Sequence, residues 1–521
     1  MRDKVKGTIY YVDTRRGDDQ NNGTLVSSPW QSLNPVNNRV FKPGDMILFE
    51  ASGIWNGNLE LKGSGKKDAP IIIDCYTYEG DTLKVGEGTT KPIINGGGQS
   101  LYTVWLNNVS FWELNHLEIT NQGNEPLTGR TGIVVSADDA LDQSENNCVE
   151  HIYLKHLYVH HVNGDATTKD GHNGGIYYHI AATDKNKPVI FKDVLVENCY
   201  VKDVARTGIS VGSSKCIGLS SNLSNHTQDE LKKYMHQDVV IRNNYIERSG
   251  GDAIVPQYCY EPLIEYNVAQ EASIGTVSDP NLMYNAAIWP WQCYKALFQY
   301  NEAFGTYLNG DGQSYDCDFS WGTTYQYNYS HDNEGGFMLV CQANTIDSIV
   351  RYNISQNDKR CLFMTSNAQT AYIYNNTFYI GEGLETTIFS NDYGPLTFYN
   401  NIFYKEGTPY KVDWHEGYAK YNSNLYYGFI NTPQDDHSVI KNPLFVDPGK
   451  GGTGSLEGGP ARDTLHGYTL QSHSPAIKVG QVVSKELLPK ITDTITKDFF
   501  GNPLGKEKVD LGAINSTDSE R

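Results

Sequence analysis

Tyr300-Asn301-Glu302, Tyr327-Asn328-Tyr329, Tyr352-Asn353-Ile354, Asn375-Asn376-Thr377 and Asn400-Asn401-Ile402 repeat one phrase: an aromatic or polar residue, an asparagine and, in most copies, a β-former. The phrase starts earlier, at Asn244-Tyr245 and Asn267-Val268, and its asparagines follow one another at intervals of 23, 34, 27, 25, 23 and 25 residues. Self-similarity with a period of roughly 20–30 residues, built from short strands and Gly/Asn turns, is the mark of a β-solenoid. An all-β solenoid of stacked coils is therefore expected.

The rest of the composition agrees. A solenoid grows by adding coils and needs no second core, so 521 residues fit one elongated domain. Only 39% of residues are hydrophobic, as expected when each coil turns a few side chains inward and exposes long turns. No apolar run reaches the roughly 20 residues of a membrane span. A formal net charge of −19 argues against nucleic acid and against polyanionic substrates at long range. Nine cysteines, an odd number, do not suggest a disulfide framework; Cys259, Cys293, Cys317 and Cys341 read instead as a stacked inward ladder. Met1-Arg-Asp-Lys-Val-Lys-Gly7 leads straight into the strand Thr8–Val12 with no visible signal peptide, so either an intracellular protein or a sequence that begins at a mature end is expected.

Three regions are expected. Residues 1–100 form an N-terminal cap and first coils, because a solenoid end must cover its core cross-section and unpaired strand edge. Residues 101–404 are coils carrying a groove, and residues 405–521 are an irregular extension packed on them. Within the coils, Gly132–Ser136, Gly175–His179, Gly208–Gly212, Ala253–Gln257, Ala287–Trp291, Gly336–Val340 and Cys361–Thr365 superpose, with Gln313 taking the Ile position of the remaining coil. Alternation along the strands then turns Tyr177 and His179, Gln257, Trp289 and Trp291, Asp316 and Asp318, Met338 and Val340, and Phe363 and Thr365 outward. Insertions around Ile217–Gln237 and Ala272–Tyr284 enlarge the turns on one side, where function usually sits.

Outward Trp289, Trp291, Tyr177 and Phe363 suit the apolar faces of sugar rings, the alternative being that a long turn buries them. Beside them runs a line of polar turn residues: Arg206, Asp252, Asp311, Glu334, Lys359 and Arg360. Asp311 and Glu334 are one coil apart, so their carboxyls can approach to roughly 5–6 Å, the spacing of a retaining glycosidase. Asp252 and Asp311 are two coils apart, about 9–10 Å, which suits an inverting pair. Each such Asp can equally well serve turn amides. Asp316 and Asp318 can take catalytic roles, bind sugar hydroxyls or hold calcium, although calcium needs more oxygen ligands than this motif offers. No cofactor is otherwise indicated, and the six histidines between His151 and His179 alternate along strands instead of converging as zinc requires. His331, Gln257 and Arg360 can orient a sugar or an acidic branch. Arg360, Lys359 and His331 also keep a polysaccharide lyase open as an alternative, and a non-catalytic glycan-binding solenoid is a third reading.

Tyr10-Tyr-Val-Asp13 with the Gly-Asp-Asp and Asn-Gly-Thr24 turns, Lys42-Pro-Gly-Asp45, the Tyr-Asn ladder and Leu511-Gly-Ala-Ile514 together resemble the bacterial right-handed parallel β-helix enzymes of the pectate-lyase-like superfamily. The resemblance covers nearly the whole chain and is specific for fold more than for activity. The Asn-Thr-Asp, Asp-Asp and Gly-His-Gly pattern of polygalacturonases is absent, as is a lyase calcium cluster. The Asp311–Gly336 segment is similar to the acid-bearing coils of β-helix glycoside hydrolases. That resemblance implies an all-β, right-handed parallel β-helix in a secreted or periplasmic protein, with a carbohydrate substrate, a plant or host polysaccharide or oligosaccharide, cleaved in a groove on the helix face.

Overall fold

The computed structural model describes residues 7–79, 82–86, 90–141, 147–167, 172–184, 187–212, 218–279, 281–368, 370–390, 394–484 and 495–516. It is a right-handed parallel β-helix. Two compact units divide it: Met1–Leu219 with His226–Pro262 and Ile274–Leu282, and Ser220–Asn225 with Leu263–Ser273 and Met283–Arg521. No helix among the described residues is long and apolar enough to cross a membrane.

In the first unit each coil contributes a strand to each of three parallel faces. The middle coils run through Trp112–Asn115, Glu118–Asn121 and Thr131–Ala137, then Cys148–Lys155, Tyr158–Val162 and Gly174–Ile180, then Ile190–Glu197, Tyr200–Val204 and Thr207–Val211. Ile133, Ile176, Ile209 and Ile254 stack in register and are buried, which fixes the inward row of the third face.

The second unit repeats the plan from Leu263–Glu265 to Leu425–Tyr427, so coil strands continue past residue 404. The Tyr-Asn phrase is its corner. The residue before each asparagine takes a left-handed conformation, φ +57° at Tyr300, +58° at Tyr327 and +51° at Tyr352, which turns the chain from one face to the next in a single step. A tyrosine there is strained. The following asparagine offsets that cost. Asn353 Oδ1 accepts from the backbone and side-chain amides of Asn328, and Asn353 Nδ2 donates to Tyr325 O and Asn376 Oδ1. The same pattern runs from Asn267 through Asn424, where Asp435 ends it by accepting from the Asn424 backbone and side-chain amides. The tyrosines stack outside the corner, Tyr266 on Tyr300 at 4.8 Å and Tyr300 on Tyr327 at 5.0 Å.

The segment after Tyr427 runs back along these coils. Tyr327 donates to Lys497 O, Asn375 Nδ2 to Asp510 O, and the Gly454 and Ala461 amides to Glu302.

The expected register slips by two residues in the Gln313 coil, where Tyr315 and not Gln313 takes the Ile position and Asp316 and Asp318 stay outward, and by one residue in the two coils that follow. Gln313 pairs with Gly336, and Tyr315 with Met338, which in turn pairs with Phe363. Gly336, at φ +118°, is the counterpart of Gly174 at φ +143°, and at each a side chain would strike the carbonyl of the next coil. Aligning Gly336 with Gly175 therefore misplaced the row. Met338, Val340 and Phe363 face the core and are buried; Phe363 packs against Phe337, Phe378 and Phe398. Leu339, Cys341 and Met364 share the outward rows instead.

The eight cysteines among the described residues are free thiols, and Cys216 lies outside them. They do not stack as one inward ladder. Cys317 faces the core opposite Val340, whereas Cys341 pairs with Asp318 on the outer face.

Candidate active site

Gln313–Asp318 places its side chains alternately: Tyr315 and Cys317 are fully buried in the core, and Asp316 and Asp318 are on the other face. The bridges Ile288 to Tyr315 and Trp291 to Asp318 fix the preceding coil, so Trp289 stands beside Asp316 and Trp291 beside Asp318. The following coil supplies Cys341. One oxygen each from Asp316 and Asp318 and the Cys341 sulfur all lie within 4.8 Å of one another. The thiol donates to Asp318 Oδ1 at 3.1 Å. Burial first, then the negative charges of Asp316, Asp318 and Asp311, push its pKa well above the thiol range. Cys341 is therefore a hydrogen-bond donor held in its neutral form, and Asp311 belongs to the same field.

Asp311 lies where the turn enters this strand, in register with Glu334, since Gly335 N donates to Gly312 O and Gln313 pairs with Gly336. Their roles differ. Asp311, Asp316 and Asp318 are 9%, 4% and 7% exposed. Glu334 is more open, and its Oε2 accepts the Leu308 backbone amide at 2.9 Å, which fixes the 305–310 turn. Arg360 Nη1 donates to Gly310 O at 2.6 Å and anchors the same turn from its other end. Glu334 and Arg360 thus build the rim that positions Asp311.

The aromatic wall is less exposed than its sequence suggests. Trp289 is buried edge-on to Trp291, and Trp291 packs edge-on to Phe319 at 5.0 Å. The Trp291 indole nitrogen is buried without a hydrogen-bond partner among the described residues. An unpaired buried donor is costly unless a ligand supplies the acceptor.

His331 does not reach this face. It ends the strand Tyr329–His331 on another face, is 1% exposed, and has both ring nitrogens engaged, Nε2 by Glu302 at 3.1 Å and Nδ1 by Asp332 at 2.8 Å. Burial alone would lower its pKa; the hydrogen bonds to Asp332 and Glu302 outweigh it and raise the value to about 9. It is a clamp for the returning C-terminal segment.

Tyr177, His179, Asp252 and Gln257 belong to the first unit. Tyr177 is buried and donates to Asn173 O at 2.9 Å, and Gln257 donates to the Ser210 hydroxyl at 2.9 Å. His179 packs against His172, and burial, then the neighbouring His172, brings its pKa down to about 3, so it is neutral. Asp252 is buried 3.9 Å from the Arg206 guanidinium.

Among the described residues two groups of side chains have the spacing of a metal site: Asp316, Asp318 and Cys341, and Asp74, Cys75 and His116. A neutral thiol is a poor ligand for calcium, which takes oxygen. The outward carboxylates fit acid–base and nucleophilic chemistry better.

The family of the right handed beta helix region matches residues 156–287. A lacto-N-biosidase of Bifidobacterium longum subsp. longum is 32% identical over 602 aligned positions, covering 98% of this chain and 36% of that protein. The chain thus spans about a third of that curated relative. Two crystal structures of GH136 lacto-N-biosidase from Eubacterium ramulus, a selenomethionine derivative and the native protein, superpose with a TM-score of 0.64 each. They are 29% and 28% identical, covering 75% and 76% of this chain and 68% of theirs. The chain is a right-handed parallel β-helix protein, similar over 98% of its length to a lacto-N-biosidase.

Proposed function

We propose that the chain is a glycoside hydrolase acting on an oligosaccharide, with Asp311, Asp316 and Asp318 as its carboxylates. The observation that carries this reading is the outward pair Asp316 and Asp318, whose oxygens approach within 4.8 Å. Retaining glycosidases set their two carboxyls about 5–5.5 Å apart. Asp318 is the better nucleophile, because the Cys341 thiol donates to it and favours its ionised form. The general acid comes from the Asp311 and Asp316 side, where like charges favour keeping one proton.

Asp318 attacks the anomeric carbon while the acid protonates the departing glycosidic oxygen. A glycosyl-enzyme ester forms and the aglycone leaves. The acid, now a base, takes a proton from water, which displaces Asp318 and releases the sugar with its original anomeric configuration. The Trp291 indole N–H supplies a donor for a sugar hydroxyl. The similarity to lacto-N-biosidases makes a lacto-N-bioside, a host-type glycan unit, the substrate to expect.

A chromogenic aryl lacto-N-bioside and oligosaccharides bearing the same terminal unit test this. Release of the aryl group and of a disaccharide, lost in Asp318→Asn, supports the reading. Binding without turnover would favour a glycan-binding solenoid, and a product absorbing in the near ultraviolet would mean a lyase.

A further inference from the structure

Beside the carboxylates lies an apolar rim that the proposed chemistry does not use. Tyr284 is 59% exposed, Leu308 47% and Met283 41%. Met283 and Tyr284 converge on Gly310, the residue before Asp311: a side chain at Gly310 would lie 3.2 Å from Met283 Cε and 3.5 Å from Tyr284 Cε1. Leu308 is two residues upstream, on the turn held by Glu334 and Arg360. Large apolar side chains grouped on a surface generally mark a binding site.

Tyr284 is also strained. It takes φ +63°, a left-handed conformation that is an outlier for a bulky residue. Its amide donates to Asn309 O at 3.2 Å, and Asn285 N donates to Asn309 Oδ1 at 2.9 Å, so two bonds to one residue of the facing turn hold the bend. The bend brings the Tyr284 ring over Gly310. The absence of a side chain at Gly310, itself at φ +98°, keeps the turn clear where the ring lies.

We propose that Tyr284, with Met283 and Leu308, is a stacking platform for one pyranose ring of the substrate glycan next to the scissile bond, on the Asp311 side of the site. The inference rests on the glycosidase reading above. An aromatic face against the C–H face of a pyranose excludes water and sets the sugar's tilt without reading its hydroxyls. Trp291, on the preceding coil, and Phe319, one residue past Asp318, lie at one end of the carboxylate strand, and Tyr284 lies at the turn that enters it. Tyr284 is thus a positioning residue that governs affinity and choice of sugar while the carboxylates carry out the bond cleavage.

The test compares wild type, Tyr284→Gly and Tyr284→Phe on the aryl lacto-N-bioside and on a tetrasaccharide with the same terminal unit. Glycine is relaxed at φ +63°, so Tyr284→Gly removes the ring without adding backbone strain. For the tetrasaccharide, KM is expected to rise about tenfold or more in Tyr284→Gly with kcat within about threefold, and Tyr284→Phe is expected to restore the wild-type KM. A KM rise for the tetrasaccharide alone puts the platform under the aglycone, and a rise for both substrates puts it under the released sugar. Unchanged KM for both, with wild type active, overturns the platform. Wild type inactive on both substrates overturns the glycosidase reading, and the platform with it.

Discussion

Asn353→Asp is the sharpest probe of the corner ladder, because it swaps one amide for a carboxylate of equal size. Asn353 Oδ1 accepts from Asn328 N at 2.9 Å and Asn328 Nδ2 at 3.0 Å, contacts a carboxylate keeps. Its Nδ2 donates to Tyr325 O at 3.0 Å and Asn376 Oδ1 at 2.9 Å, and a carboxylate oxygen would meet both acceptors with lone pairs. Two buried hydrogen bonds become two repulsive contacts, and the charge is 1% exposed. Each lost bond that strands a buried partner costs about 1–3 kcal/mol, so the substitution should cost about 3–5 kcal/mol at neutral pH. With an unfolding entropy of about 2 cal/mol/K per residue over the whole chain, that is a fall in Tm of roughly 3–5 °C, partly recovered at low pH as the new carboxyl protonates. The mirror change, Asp435→Asn, lies at the terminus where both carboxylate oxygens accept, so the NH2 it introduces meets donors whichever way the amide turns. Asp435 takes Ser423 N at 2.8 Å on one oxygen and Asn424 N at 3.0 Å on the other, so this substitution should also destabilise, with no recovery at low pH. Thermal unfolding followed by circular dichroism across pH 4–8 reads both. Equal stability of Asn353→Asp and wild type at pH 7 would refute the directional ladder.

Glu334→Gln should keep the Leu308 amide contact through its side-chain oxygen and lose less than about tenfold in kcat, whereas Asp318→Asn should lose on the order of 10²–10⁴-fold; equal losses in steady-state assays would return Glu334 to the catalytic pair. His331 has its pKa raised from 6.5 to about 9, so its stabilising contribution is complete below pH 6.5 and is lost as pH rises through about 9. Urea midpoints measured from pH 6 to 10 should fall over that window in wild type and not in His331→Gln. Glu113 behaves oppositely. The His151 hydrogen bond, and then Lys155, outweigh burial and lower its pKa to about 2, so its contribution is present above pH 4.5 and lost toward pH 2. Acid unfolding should begin at higher pH in wild type than in Glu113→Gln only if this sign is wrong.

The β-helix was legible because each corner needs an asparagine that both accepts and donates, which stamps a period on residues 244–401 that no other chemistry produces. Asp316 and Asp318 were legible as an outward pair because alternation within one strand is local. The neighbours across coils were not. Gly335-Gly336 allows two alignments one residue apart, and only the left-handed conformation of Gly336 decides between them. The wrong choice turned Phe363 outward and hid Cys341. His331 looked like a groove residue because the segment that buries it, around Gly454 and Ala461, comes more than a hundred residues later. Tyr284 lies in an insertion with no repeat to set its place, so its position beside Gly310 emerges only from the fold. Glu334 was placed correctly in register with Asp311, yet the Leu308 amide that occupies it comes from a turn whose path the sequence does not dictate.

The central claim is cleavage with retention by the outward aspartates. Proton NMR of the first minutes of hydrolysis of an aryl β-lacto-N-bioside tests it most directly. The account predicts that the β-anomer of the disaccharide appears first and mutarotates afterwards, and that Asp318→Asn abolishes the signal. First appearance of the α-anomer, or undiminished turnover by Asp318→Asn, would contradict it.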